Sequence, residues 1–272
     1  MRNGTGDRPI GPVRLRAHHV RVFAIGLRFH VKALTHSVFF LLTSVFMPLL
    51  VATVAYYMYK AGNQPGSLLY VSLGAAVYGI WSSTLFGSGG AIQWQRWQGT
   101  LEVLVSAPTP FVLVIAPLTL ATSVIGIYSL ASTLVWGRLV FGIPFHVVHW
   151  VAFLVAVPAT ILGLGLLGFV FASTFVLYRN ANALSNMLEW PVLLVTGMLV
   201  PLSLLPGWAG PIAWLLAPTW GVQAIREAAM GGTPWPDAGM TIALGLAYLA
   251  IGAVCLRHFE VAARRHATLS LT

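Results

Sequence analysis

The chain has 272 residues, of which 58% are hydrophobic and only 8% charged, with a formal net charge of +9. A soluble domain carries roughly 25% charged residues, so this chain cannot furnish a polar shell and its solvent is lipid. Continuous apolar runs of about 20 residues, without two-residue alternation, argue against a β-barrel and for an all-α polytopic membrane protein.

Residues 1–16 are polar and Gly/Pro-rich and are expected to form a flexible cytoplasmic tail. In residues 17–36 the helical period puts Arg21, Arg28 and Lys32 on one face and Phe23, Leu27, Val31 and Leu34 on the other, with Ile25 as the violation. That pattern predicts an amphipathic helix lying at the lipid surface. The alternative is a cytoplasmic extension of the first span. The first long apolar run starts near Ser37 and no small-residue cleavage pattern follows it, so the N-terminus does not read as a cleavable signal peptide.

Six spans are expected within a transmembrane domain at 37–258: about 38–59, 68–91, 111–136, 148–177, 184–204 and 239–257. Pro158 is a candidate kink in the long fourth span. A basic cytoplasmic tail, 259–272, closes the chain. Seven of the fifteen Lys/Arg precede residue 33: Arg2, Arg8, Arg14, Arg16, Arg21, Arg28 and Lys32. With both termini inside, Arg96, Arg179, Arg257, Arg264 and Arg265 join them, and only Lys60, Arg138 and Arg226 fall outside. The bias fixes a multi-pass protein of the cell membrane with cytoplasmic ends. It also assigns the positive charge to membrane topology rather than to nucleic acid.

Between the fifth and sixth spans, residues 206–230 are apolar but cut by Pro206, Pro211 and Pro218, and Trp208, Trp214 and Trp220 suit headgroup depth. Two short re-entrant helices dipping into the outer leaflet are expected, an ordinary outer loop being the alternative.

Side chains for chemistry are sparse. The single cysteine, Cys255, rules out an intrachain disulfide. All eight histidines lie at ends or loops, and the pair His146 and His149 reads as interfacial rather than metal-binding. Ser88 in FGSGG has no histidine at its depth; Gly87, Gly89 and Gly90 read instead as close-packing positions. Glu189 is the acid nearest the middle of a span, about a turn and a half in; it reads either as a group that pairs with Arg179 or caps the cytoplasmic half of its helix, or as a residue near the interface held by its neighbours. A proton- or sodium-driven carrier is thereby disfavoured. No GxxxxGK[ST] occurs, so any nucleotide must be bound by another chain.

One polar segment interrupts the apolar runs. In IQWQRWQGTLEVLVSAPTP, Gly99 stops the helix leaving the second span, Thr100 can cap a new one, Glu102 suits its first turn, and Pro108 and Pro110 help stop it. A short, largely apolar cytoplasmic helix at 99–106 is expected, and something must cover it.

GTLEVLVSAP resembles the G-T-L-E-x-L-x-x-x-P signature of type-2 ATP-binding-cassette (ABC) exporter permeases, a group that includes daunorubicin-resistance-like and nodulation-factor-export-like membrane subunits. RNANALSNMLEWPVLLVTGMLVPLSLLPGW and LAPTWGVQAIREAAMGG are similar to further motifs of that family, in the same order. Where family members commonly carry acids ahead of the signature, this chain has Gln93, Gln95 and Gln98.

The resemblance implies a permease without catalytic, cofactor or metal residues, with ATP and Mg held by a partner ATPase. Gln98, Gly99, Thr100, Leu101, Glu102, Val103 and Leu104 would form the coupling helix seated on that ATPase. Arg21, Phe23, Leu27, Arg28, Val31 and Lys32 would form the interfacial helix, and Pro206, Trp208, Pro218 and Arg226 an outer gate. A second permease subunit, identical or not, completes the pair. The cargo is expected to be a hydrophobic or amphipathic molecule: drug, antibiotic or lipid. Export of a polysaccharide or glycolipid along Tyr78, Trp81 and Tyr128 is the alternative, and a secondary carrier without an ATPase is the reading from a different class.

Overall fold

A computed structural model describes residues 12–62, 68–97, 99, 109–144, 146–175 and 181–266, and among them every regular element is a helix. The first, α1 (Pro12–His36), is separated from α2 (Val38–Ala61) by Ser37 alone. Ser37 leaves the helical region at φ −83° and ψ 103°, and its Oγ accepts from Phe40 N at 3.4 Å. One residue thus stops the amphipathic helix and caps the first apolar one.

Helix α3 (Leu68–Trp97) continues past the expected span end and takes in the first polar residues of the interrupting segment. Helix α4 (Val112–Phe141) ends at Gly142, whose φ of 66° only glycine adopts freely. Helix α5 (Trp150–Phe175) runs unbroken through Pro158. Then come α6 (Ala181–Val195), a 3-10 turn at Leu202–Leu204, α7 (Ala209–Trp214), α8 (Ala217–Met230) and α9 (Pro234–His266).

Among the described residues, five helices are long and apolar enough to cross a membrane: Phe40–Ala61, Leu68–Gly90, Val112–Phe141, Trp150–Phe175 and Pro234–His258. The expected fifth span, 184–204, is different. Its helix has 15 residues, about 22 Å of rise, and the chain beyond Val195 is irregular. Gly197 sits at φ 75°, and Pro201 and Pro206 follow. A left-handed glycine with two prolines downstream stops a helix whatever the hydrophobicity around it. The last span starts earlier than expected, at Pro234, because Pro234 and Pro236 fall in the first turn of α9, where no intrahelical N–H is lost.

Helix α3 packs against α4, α2, α5 and α6, and α5 lies between α4, α9 and α8. Trp81, Tyr78, Leu73, Ile80 and Leu85 of α3 are fully buried in this core. Close approach rests on small residues, as usual where lipid supplies no hydrophobic drive between helices. A Cβ added at Gly168 of α5 would stand 2.5 Å from Thr84 Cγ2 and 2.7 Å from Ser88 Oγ. Gly87 meets Thr122, and Gly89 meets Ser185, but a Cβ added at Gly90 would have nothing within 4 Å among the described residues.

Candidate functional site

The C-terminal end of α3 delivers the chain to the expected coupling segment. Gln93 is half-buried on the last turns of α3, and Gly99 follows at φ 65°. Gln98, Thr100, Leu101, Glu102, Val103 and Leu104 lie outside the described residues, as does Arg179. On α1, Phe23, Leu27, Val31 and Leu34 are half-buried and Arg21, Arg28 and Lys32 exposed. Phe23 packs onto a cluster of Phe111, Ile115, Ala116, Phe169, Ala172 and Leu256, and α1 as a whole packs on α4 and, less, on α2. Ile25 points away from that cluster and is 58% exposed.

The four expected gate residues separate into two pairs. Pro206 and Trp208 are exposed ahead of α7, whereas Pro218 and Arg226 are buried on α8. Arg226 is 3% exposed, and no carboxylate of the described residues meets it. Its Nε donates to Tyr70 O at 3.2 Å, its Nη1 to Gly197 O at 2.8 Å, and its Nη2 to Met198 O. Its guanidinium carbon lies 3.3 Å from the centroid of the Tyr70 ring. Burial pulls the group down to about 10, opposed by Tyr70 and Tyr59, so it stays charged at neutral pH. Nearby, the Tyr59 hydroxyl donates to Leu199 O at 2.8 Å.

Three successive carbonyls, 197 to 199, are thus collected where α6 has stopped. Without these donors the irregular stretch would leave polar backbone unpaired inside an apolar core. Gly74 of α3 makes room for the arrangement: a Cβ there would run into Met198 O and the Arg226 guanidinium.

The short helices are pinned in the same way. The Tyr248 hydroxyl of α9 accepts from Ala217 N at 3.1 Å and donates to Leu215 O, closing the corner between α7 and α8. The far end of α8 is met by Val148 N and His149 N, which donate to Ala229 O and Ala228 O at 3.1 and 2.9 Å.

A second polar centre lies deeper. The Oε1 of Glu189, on α6, accepts from the Tyr78 hydroxyl at 2.7 Å and from Ser82 Oγ at 2.9 Å. Tyr78 and Ser82 straddle Gly79, the middle residue of the apolar stretch Leu68–Gly90. Glu189 is therefore held beside the middle of that apolar stretch, by hydroxyls of α3. These partners on α3 are not in view from the sequence of α6.

Tyr59, Tyr70, Tyr78 and Ser82, which build these centres with Arg226 and Glu189, belong to no motif. Tyr78 and Trp81, expected to line a sugar path, are instead buried in helix packing, while Tyr128 is 44% exposed. Among the described residues no group of three or more His, Cys, Asp or Glu could hold a metal.

The family model for ABC-2 type transporters matches residues 20–230, from within α1 to the end of α8. No curated protein matches the chain.

Proposed function

The chain belongs to the ABC-2 type transporter family and is a multi-pass permease subunit, and on that premise we propose that it serves an ATP-driven exporter of hydrophobic or amphipathic molecules. One observation carries the reading: the matched stretch holds both the inner turn after α3 and the Arg226 cluster at the opposite end of that helix. A separate nucleotide-binding subunit, with its ATP and Mg, docks on residues 99–106, and two permease subunits face each other. ATP-driven approach of the ATPases moves α3 through that segment, and the region around α7 and α8 opens outward. Both termini are cytoplasmic.

Burial of Tyr78 and Trp81 takes two of the three rings out of a sugar path, which favours lipid-like cargo over polysaccharide. The mid-span Glu189 is the observation that keeps a secondary carrier in contention. The two are separated by energising transport with ATP or with an ion gradient alone.

The test is copurification of a nucleotide-binding subunit, followed by Glu102→Ala and by Ser replacement of residues 101–105. Both variants should insert normally but recover less ATPase and lose substrate-stimulated hydrolysis. Full complex yield and full transport in both would refute the docking site.

A further inference from the structure

The basic face of α1 carries two side chains that its amphipathic pattern does not account for. Ile25 and Phe29, one turn apart, are 58% and 66% exposed beside the exposed Arg21, Arg28 and Lys32. Large apolar side chains held out together mark a surface that meets something other than water. The protein itself is on the other side of the helix, where α1 packs on α4 and Phe23 joins the cluster around Phe111.

The depth of α1 identifies what covers the free face. A Cβ added at Gly26 would stand 3.5 Å from Cβ and Cγ of Pro117. Pro117 lies five residues, about 8 Å, inside the apolar stretch Val112–Phe141. At the end of α1, the apolar stretch of α2 opens at Phe40, four residues beyond His36. This part of α1 therefore runs along the edge of the apolar band, where hydrocarbon gives way to lipid headgroups.

An open cavity of about 310 Å³ lies here, lined by Phe29, Lys32, Ala33 and His36. Their spacing, i, i+3, i+4 and i+7, puts all four on one side of the helix. The volume is at the small end of ligand sites, about 300–1,000 Å³. Lys32 brings a positive charge. The His36 ring is fixed by Nδ1, which donates to Lys32 O at 2.8 Å and leaves Nε2 as its free nitrogen. Phe29 and Ala33 supply apolar surface beside them. A cation next to an aromatic ring at headgroup depth complements a phosphate that carries hydrocarbon.

We propose that this cavity is a discrete site for one anionic phospholipid, at the joint between α1 and α2. Lys32 meets the phosphate, His36 Nε2 hydrogen-bonds the polar headgroup, and Phe29 and Ala33 contact the glycerol and first methylenes. The site differs from the general attraction of a basic face for anionic membranes: the cation that lines the cavity recognises the lipid, and its neighbours on the same face do not. It depends on neither the cargo nor the ATPase.

The experiment uses the full chain, with whatever subunits copurify, stripped of lipid in detergent. Native mass spectrometry counts bound phosphatidylglycerol and, separately, zwitterionic phosphatidylcholine of the same chains. Wild type should bind the first phosphatidylglycerol more tightly than the first phosphatidylcholine, by about fivefold or more. Lys32→Gln should abolish that preference. Arg28→Gln removes the same charge one turn away and should keep it. Phe29→Ala should weaken the first phosphatidylglycerol, and Ile25→Ala should not. Glycerol phosphate, the same anion without chains, should not displace the lipid at equal concentration. The proposal is overturned if wild type has no preference, if Lys32→Gln keeps it, or if Arg28→Gln loses it equally, which would leave only diffuse attraction. It is also overturned if Phe29→Ala has no effect or Ile25→Ala has the same one, or if glycerol phosphate competes, which would make the ligand a soluble phosphate. Unchanged lipid binding with loss of a copurifying ATPase in Lys32→Gln would assign the face to a protein partner instead.

Discussion

Arg226 satisfies a helix end to which it does not belong. Its three donors reach carbonyls on α3 and beyond α6, and truncation to alanine strips all three at once. Each buried acceptor left short costs about 1–3 kcal/mol, so Arg226→Ala should destabilise the chain by about 3 kcal/mol or more. Arg226→Lys keeps the charge but loses the fork and the stacking on Tyr70, and should fall between. Thermal unfolding of the purified protein reads both; an unshifted midpoint in Arg226→Ala would remove the clamp from the account. A matched pair on α3 tests the same site from the other side. Gly74→Ala drives a methyl into Met198 O and should be destabilising by about 1–3 kcal/mol. Gly90→Ala meets nothing and should be neutral or gain up to about 1 kcal/mol of helix propensity. Sequence carried the presence of Arg226 in a short, Pro-bounded segment. It did not carry the targets, because backbone carbonyls have no letter of their own. The depth of Glu189 was hidden for a related reason: it is defined by Tyr78 and Ser82, more than a hundred residues away.

Elements differ in how far their own residues determine them. The stripe on α1 is periodic, and the half-buried and exposed sets follow it from His19 to His36. The end of α6 breaks inside a run from Val192 to Leu205 that holds no charged residue, only Thr196 and Ser203 as polar side chains, and Gly197 and Pro201 mark the break. That is why a straight span over 184–204 was the natural expectation. The docked side of α1 also contains His30, whose pKa burial lowers from 6.5. The docked state therefore prefers neutral imidazole. Docking is at full strength above about pH 6.5 and weakens as pH falls below it. Hydrogen exchange across residues 18–36, corrected for intrinsic rates, should show less protection at pH 5.5 than at pH 7.5. His30→Leu should flatten the difference, and equal pH dependence in the variant would point to another group. On the opposite side, replacing Arg21, Arg28 and Lys32 with Glu should reduce protection of α1 in vesicles containing anionic lipid, with little change in neutral ones. Unaltered protection in anionic vesicles would mean that this face does not touch the lipid surface.

Among the described elements, α3 reaches both centres and runs up to the turn at Gly99. Its seam with α6 is fastened at three depths: Ser185 Oγ donates to Leu85 O at 3.4 Å, Tyr78 and Ser82 hold Glu189, and Arg226 ties Tyr70 to the carbonyls beyond Val195. Sliding α6 along α3 by one turn would break all three together in a medium that offers no replacement partners. The two helices should therefore travel as one body, and a push delivered at the inner end of α3 should arrive undiminished at α8. A disulfide tests this directly. A Cβ at Gly89 would stand 2.6 Å from Ser185 Oγ, which places the two Cβ atoms about 4 Å apart or less, within disulfide range. With Cys255, the exposed native thiol, replaced by Ala, the pair Gly89→Cys and Ser185→Cys should cross-link on mild oxidation. ATP hydrolysis and export should then be the same oxidised and reduced. If oxidation arrests export and a reductant restores it, the seam must open in each cycle, and force reaches the outer mouth by some route other than α3.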